Sequence, residues 1–502
     1  MALFWASDAL PGCHGCRQTI RRASLSTEKG SARFGLELLS PDPPAAPAPF
    51  CQPQSAGCWH GAMVGKEVAM IFPMFEGVMF ISAYMPHMIA VLIVLATIVR
   101  KPFRICVVVL PILTFGLLCA LAIQESRWHA EAEGYDMTQP SLREALEDYI
   151  ASGKGSLEEI LEGKKYPPVF GKIELMRYLN TWLGKSVFHD TDQDADYLPE
   201  AYNKGDDWFE ATLADPMVYT GALYAGSNET VWSAQQKKLE FIAYSLDVKK
   251  GDKALEIGCG WGRLSNYLAS KGAKVTGVTM STDQQAYAKR MSQQLGNSEN
   301  VDIVLKNFFD LDLPDKSFNV ISSVEMAEHV GIRNYNKFLR KVHRLLADDG
   351  TFYLQVAGLP RGYASGYNHY EDLVWGLFMD EHVFPGADAS CPMGWVVTHL
   401  EQAGFEVQSV HNMGYHYSQT LAHWLKNWEA SKDTIVKAYG ERSWRRWRVF
   451  LAWSVRISRR GGSTVQWITA TKSGQESARI AAQNRLAPGI FQLPEPKPLP
   501  TQ

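Results

Sequence analysis

The stretch Lys253-Ala254-Leu255-Glu256-Ile257-Gly258-Cys259-Gly260-Trp261-Gly262 carries the clearest chemical signal in the chain. An apolar run of strand type leads into glycines at alternate positions, and a helical pattern from Arg263 to Lys271 follows. Glycines so spaced let the backbone bend tightly and come close to a ligand. Gly258 and Gly260 begin a dinucleotide fingerprint, Gly-x-Gly-x-x-Gly, but its third glycine would fall on Arg263. The spacing is Gly-x-Gly-x-Gly instead, with Glu256 two residues ahead of the first glycine. It predicts a ligand held by close backbone approach at the end of a buried strand.

A turn of this kind needs a sheet to hold it. Strand patterns occur at Ala254–Gly258, Ala273–Thr279, Val301–Lys306, Asn319–Val324 and Thr351–Val356, with helical patterns between them such as Ser281–Leu295 and Tyr335–Leu346. That alternation predicts an α/β fold with a mostly parallel sheet and helices on both faces. Phe405–Val410 and Val465–Thr471 can close it, giving seven strands. Ligands in such sheets bind outside the carboxyl ends of the strands.

The flanks read differently. The chain has 502 residues, too many for one ordinary domain, and a net charge of −3, which gives no preference for nucleic acid. Eight cysteines in this length make no disulfide scaffold. Cys13 and Cys16 form one close pair without a second, so no metal site is expected. Residues 1–62 are proline- and alanine-rich and read as a disordered leader; Arg17, Arg21 and Arg22 make a targeting segment conceivable. Residues 63–124 contain two apolar runs, about 77–99 and 105–123, separated by Arg100, Lys101 and Arg104. Runs of about 20 residues can cross a bilayer, so a two-helix transmembrane hairpin is expected. Residues 125–210 read as a helical linker and cap, in which Ser141 and Glu144 form a helix-start pair. Asp190 to Asp196 reads as solvated surface. The Ser443–Arg460 segment interleaves Trp444, Trp447, Phe450 and Trp453 with arginines, which suits either an interfacial membrane helix or a domain helix with core aromatics. Residues 211–473 hold the sheet domain, and 474–502 read as a disordered tail.

The glycine turn resembles the first motif of S-adenosylmethionine (SAM)-dependent methyltransferases. Four more stretches narrow the resemblance: Asp215–Gly221, Gly277–Gln284, Glu325–Gly331 and His416–Leu421. Together these motifs, in order, resemble the cyclopropane-fatty-acyl-phospholipid synthase and mycolic acid methyltransferase family over about residues 200–472. The apolar hairpin with Tyr370–Met379 and Val383–Cys391 is similar to its fungal sphingolipid C-9-methyltransferase branch. The resemblance implies a Rossmann-like SAM-dependent methyltransferase domain. It implies that Glu256, Gly258, Gly260 and Gly262 form the SAM turn and that Tyr219 and Thr220 close over the methionine end. Thr279 and Gln284 stand where the family holds the ribose, and Asn307 and Phe308 match the adenine-contact region.

The implied reaction is attack of an alkene on the sulfonium methyl, leaving a carbocation that loses a proton. Aromatic faces stabilise cations, and Tyr219, Trp375, Phe378 and Tyr417 are candidates. The family's cyclopropane synthases hold a bicarbonate through Cys, Glu, His and Tyr. Glu328 and Tyr417 match two of these and are the candidate catalytic residues, with Glu328 the preferred base or base-orienting group and the flanking Glu325 and His329 less favoured. The Cys position is Gly221 and the His position Gln355, so bicarbonate is not expected to be tightly held. The expected activity is methyl transfer to C-9 of the Δ8-unsaturated sphingoid base of a ceramide or glucosylceramide. The alternative is a cyclopropane or methyl-branched fatty-acyl-phospholipid synthase. Expected partners are the lipid and a membrane, with no nucleic acid and no protein partner. The expected location is an endoplasmic reticulum or Golgi membrane, multi-pass, with the catalytic domain on the cytosolic side.

Overall fold

A computed structural model describes residues 124, 128, 130–132, 134–163, 166–167, 189–226, 228–360, 370–387, 389 and 391–486. The leader, its cysteine pair and the apolar runs at 77–99 and 105–123 lie outside the described residues. Among those described, no helix is long and apolar enough to cross a membrane.

Seven strands form one sheet: β1 (Lys253–Ile257), β2 (Lys274–Thr279), β3 (Val301–Leu305), β4 (Phe318–Val324), β5 (Leu346–Gly358), β6 (Phe405–Asn412) and β7 (Thr464–Lys472). Their order is β3-β2-β1-β4-β5-β7-β6. The first five run parallel, with Glu256 beside Gly277 on one side and Ser322 on the other. β7 is antiparallel to β5 and to β6, which closes the edge as expected. The strand order reverses at β1, so the crevice for a ligand opens above the carboxyl ends of β1 and β4. Near-continuous burial along β4 and β7 follows from helices covering both faces.

A helical layer lies beside this sheet. Its helices at Leu142–Ser152, Asp206–Leu213, Gly414–Ala430 and Glu441–Arg459 share one core with Trp424, Trp428, Trp447 and Trp453. The first begins on the predicted signal: Glu144 N–H donates to Ser141 Oγ, and the Glu144 carboxylate accepts from Ser141 N–H. Trp444, Trp447, Phe450 and Trp453 are all buried, so the aromatic face of Glu441–Arg459 is core and not a membrane surface. Three of its arginines are committed as well: Arg445 donates to Ile150 O, Arg448 pairs with Glu158 and Glu429, and Arg456 pairs with Glu371. Burying a side chain such as Phe450 stabilises by about 1.5–3 kcal/mol. Trp375 and Phe378 join the same core. The Trp375 indole N–H donates to Ser454 Oγ, and Phe378 packs on Trp453. They fill the helical layer.

Two further expectations change. Glu476–Leu486 is a helix, not disordered tail. Ala478 and Ala482 are buried, and Arg479 and Arg485 pair with Glu406 and Asp247. The acidic run at 190–196 is not all surface either. Asp194 is buried, with Oδ1 at 2.8 Å from His189 Nε2.

Candidate active site

The floor of the site is the glycine turn. Gly258, Gly260 and Gly262 have φ of +78°, +51° and +80°. A Cβ at Gly258 would fall 2.6 Å from Met326, and one at Gly262 2.7 Å from Ala288, so the outer glycines are packing requirements. A Cβ at Gly260 would meet nothing within 4 Å. That glycine faces open space, where a ligand can come against the backbone. Glu256, at the end of β1, is buried and accepts a hydrogen bond from the Ser265 hydroxyl. Burial pushes its carboxyl up to about 8.

The walls come from the ends of the neighbouring strands. Thr279, the last residue of β2, donates through Oγ1 to Gln284 Oε1 at 2.8 Å, and both are buried. Beyond β3, Asn307 Nδ2 donates to Asp194 Oδ2 at 3.0 Å, and Phe308 is buried edge-on to Phe338. The Tyr219-Thr220 segment forms the opposite wall. Gln235 Nε2 donates to Thr220 O at 2.8 Å, and the buried Lys238 ammonium donates to Thr220 Oγ1. Tyr219 packs against Trp424 at 5.2 Å between ring centroids, and its hydroxyl has no partner among the described residues. These walls enclose about 1200 Å³, open mouth included. Tyr219, Thr220, Glu256, Gly258, Gly260, Thr279, Gln284, Asn307 and Phe308 all line that space, while Gly262 stands behind it, supporting the turn. A long mixed ligand suits these walls, with polar contacts at Thr279 and Gln284 and an apolar plate at Phe308.

The inner end is rich in carboxyl groups and tyrosines. Glu328 is buried just past β4 in a short 3-10 turn, where Ala357 N–H donates to its Oε1. Its Oε2 has no partner among the described residues, and burial, with Glu325 nearby, pushes it up to about 8. Tyr417 is half-buried, and burial raises its phenol, which keeps it neutral. Neither Glu328 nor Tyr417 lines the cavity.

Glu325 and His329, the less favoured neighbours of Glu328 in the sequence, do line it, as do Lys238 and Tyr202, which the sequence did not single out. Glu325 lines the cavity, and its Oε1 accepts from Gly221 N–H at 2.9 Å and from Gln355 Nε2 at 2.6 Å. The two positions that depart from the family's pattern thus meet on one carboxylate. Glu325 holds φ at +49°, a left-handed conformation that costs a non-glycine residue about 1–3 kcal/mol and collects at functional sites. Burial lowers the Lys238 ammonium, while Glu325 and Glu256 favour its charged form. Tyr202 closes the wall, its hydroxyl 2.9 Å from His329 Nε2, and burial lowers His329 to about 4, so the ring is neutral.

The sequence profile of the mycolic acid cyclopropane synthetase family matches residues 189–468. Sphingolipid C9-methyltransferase 2 of Gibberella zeae is 41% identical over 335 residues, 65% of this chain and 63% of that protein. Sphingolipid C9-methyltransferase of Candida albicans is 37% identical over 349 residues, 68% of this chain and 67% of that protein. The chain thus spans somewhat less than two thirds of the Gibberella relative's length. Among solved structures, the mycolic acid cyclopropane synthase CmaA1 complexed with SAH and CTAB superposes with a TM-score of 0.52 at 25% identity, covering 55% of this chain and 98% of that one. The cyclopropane synthase MmaA2 from Mycobacterium tuberculosis, at 22% identity and a TM-score of 0.53, covers the same shares and supports the fold. With the profile match spanning more than half of its length, the chain belongs to the mycolic acid cyclopropane synthetase family.

Proposed function

We propose that this chain is a SAM-dependent C-methyltransferase acting on C-9 of the Δ8-unsaturated sphingoid base of a ceramide-type lipid. The observation that carries the reading is the cavity in which the glycine turn, Thr279, Gln284, Asn307 and Phe308 form one end and carboxyl and tyrosine side chains the other. The open face of Gly260 and the unpartnered Tyr219 hydroxyl fit a bound SAM. When bound there, SAM supplies a methyl that is already strongly electrophilic. The protein's tasks are to position the lipid, exclude water and stabilise charge. Tyr219 and Tyr202 line the cavity, and burial raises each phenol further above physiological pH, so both offer neutral ring faces to a cation. Each such face is worth about 0.5–2 kcal/mol. The relatives named sphingolipid C9-methyltransferases support the choice of lipid.

We further propose that residues 77–99 and 105–123 hold the chain in an endoplasmic reticulum or Golgi membrane, with the sheet domain on the cytosolic side, where SAM is made. The test of function is lipid analysis of cells expressing the chain and fed methyl-labelled methionine. Label on a sphingoid base, with NMR showing a methyl on a retained double bond, is the expected result. A cyclopropane ring on a phospholipid acyl chain would replace this reading with the alternative one.

A further inference from the structure

The reaction proposed above needs a base that faces the cation, and the structure offers two carboxyl groups three residues apart. We propose that Glu325 is the base, and that Glu328 is a neutral carboxyl that positions the end of β5. The inference rests on the methyl transfer proposed above.

Three observations separate the two groups. The first is access. Glu325 lines the cavity shared with Lys238, Tyr202 and Tyr219, whereas Glu328 lies behind it against Ala357. The second is hydrogen bonding. Glu325 Oε1 receives two donors, Gly221 N–H and Gln355 Nε2, which favour the ionised form. Glu328 receives one backbone donor, and its other oxygen has none among the described residues. Two carboxylates in one site do not both ionise easily, so the better-supplied one keeps the charge. Burial raises the Glu325 carboxyl, and the Gly221 N–H, the buried Lys238 ammonium in the same wall and the Gln355 amide each work against that rise.

The third observation is the way space is made. A Cβ at residue 221 would stand 3.1 Å from Tyr417 Cδ2 and 3.7 Å from Glu325 Oε1. Gly221 therefore lets a tyrosine ring and a carboxylate close on the same point. Gln355 is fully buried, and its amide is aimed at Glu325 while Glu325 N–H donates to Gln355 O at 2.8 Å. The backbone at 325 is left-handed, and the chain keeps a glutamate there regardless. The arrangement brings an internal carboxylate to the reacting end and needs no small anion from solution.

In the transfer, the alkene's π pair bonds to the methyl carbon, and sulfur keeps the pair of the breaking C–S bond. The neighbouring carbon becomes the cation. Glu325 takes the proton from the carbon that gained the methyl, and the released C–H pair restores the double bond. Glu325 is left as the neutral acid.

The test uses the full chain, solubilised from membranes and assayed on phosphatidylcholine vesicles containing Δ8-unsaturated ceramide. Glu325→Gln is expected to lower turnover by roughly 100- to 10,000-fold with SAM affinity by calorimetry unchanged, and Glu328→Gln by a smaller factor. Glu325→Gly suits the left-handed backbone and leaves a carboxylate-sized gap between Gly221 N–H and Gln355. Formate should raise the melting temperature of SAM-free Glu325→Gly more than chloride does, and should restore part of its turnover. Glu325→Gln should show neither response. Near-parental turnover in Glu325→Gln, a larger loss in Glu328→Gln, or a Glu325→Gly protein indifferent to formate in both measurements would overturn the assignment. If the parent chain itself methylates no ceramide, the proposed function falls and takes this inference with it; with an active parent, the same losses bear on Glu325 alone.

Discussion

Gly260 and Glu328 show how a single residue's surroundings decide what its substitution does. At Gly260 the backbone is left-handed, and the space above it is empty to at least 4 Å. Gly260→Arg can fold there at modest strain, but its side chain then occupies the cavity. SAM binding by calorimetry should be lost while the melt stays cooperative; unchanged affinity would place the methyl donor elsewhere. For Glu328 the expected effect is on stability against pH. Its carboxyl is raised to about 8 in the folded protein from an ordinary value of 4.5. Between those values the folded chain holds a proton that the unfolded chain has released, so stability falls as pH rises through that window. Glu328→Gln removes this loss. The variant should gain on the parent by up to about 1.4 kcal/mol per pH unit between pH 5 and 8. Thermal melts at pH 5.5, 7 and 8.5 would show the gap widening in the variant's favour. Parallel curves would mean that Glu328 ionises as freely in the fold as in the chain.

At the scale of elements, legibility followed periodicity. The five parallel strands were readable because buried parallel strands are short runs rich in apolar residues and bounded by turn residues, as in Lys274–Thr279 and Phe318–Val324. The Ser141 cap was readable because its chemistry is local. The Glu441–Arg459 helix was ambiguous, since one pattern of tryptophans and arginines serves a lipid interface and a core alike; only the partners Ile150, Glu158 and Glu429 decide. Glu325 was ranked below Glu328 because its meaning lies in Gly221 and Gln355, 104 and 30 residues away. The departures at those two positions were visible in the sequence, and their link to Glu325 was not. Glu476–Leu486 escaped because its neighbours are proline-rich and its buried face is two alanines. That face is small, and of its two ion pairs Arg479–Glu406 is solvated while Arg485–Asp247 is part-buried. Removing residues 476–502 should therefore cost only about 1–2 kcal/mol, or roughly 2–8 °C in melting temperature. A drop far beyond that would show the helix to be a structural part of the sheet domain.

At the scale of the whole molecule, the remaining question is what holds a lipid-modifying chain at its substrate. Two features could do so: the apolar runs at 77–99 and 105–123, and the aromatic helix at Glu441–Arg459. The structure removes the second, because Trp444, Trp447, Phe450 and Trp453 are enclosed by the helical layer and cannot also enter a headgroup region. Among the described residues, no helix is long and apolar enough to cross a bilayer. The proposed attachment through residues 77–123 is the reading that remains to be tested. Each run is about 20 residues long, the length that a bilayer span needs. Deleting residues 77–123 from the full chain should therefore move it from the membrane pellet to the soluble fraction, and it should stay there when vesicles are added. SAM affinity should be unchanged, since every lining residue among those described lies at Asp194 or later. Turnover on ceramide presented in detergent micelles should survive, while turnover on ceramide in vesicles should fall, because the enzyme must then find the bilayer by diffusion. A deleted chain still recovered with the membrane pellet, and released by high salt, would instead assign the attachment to a charged surface of the sheet domain.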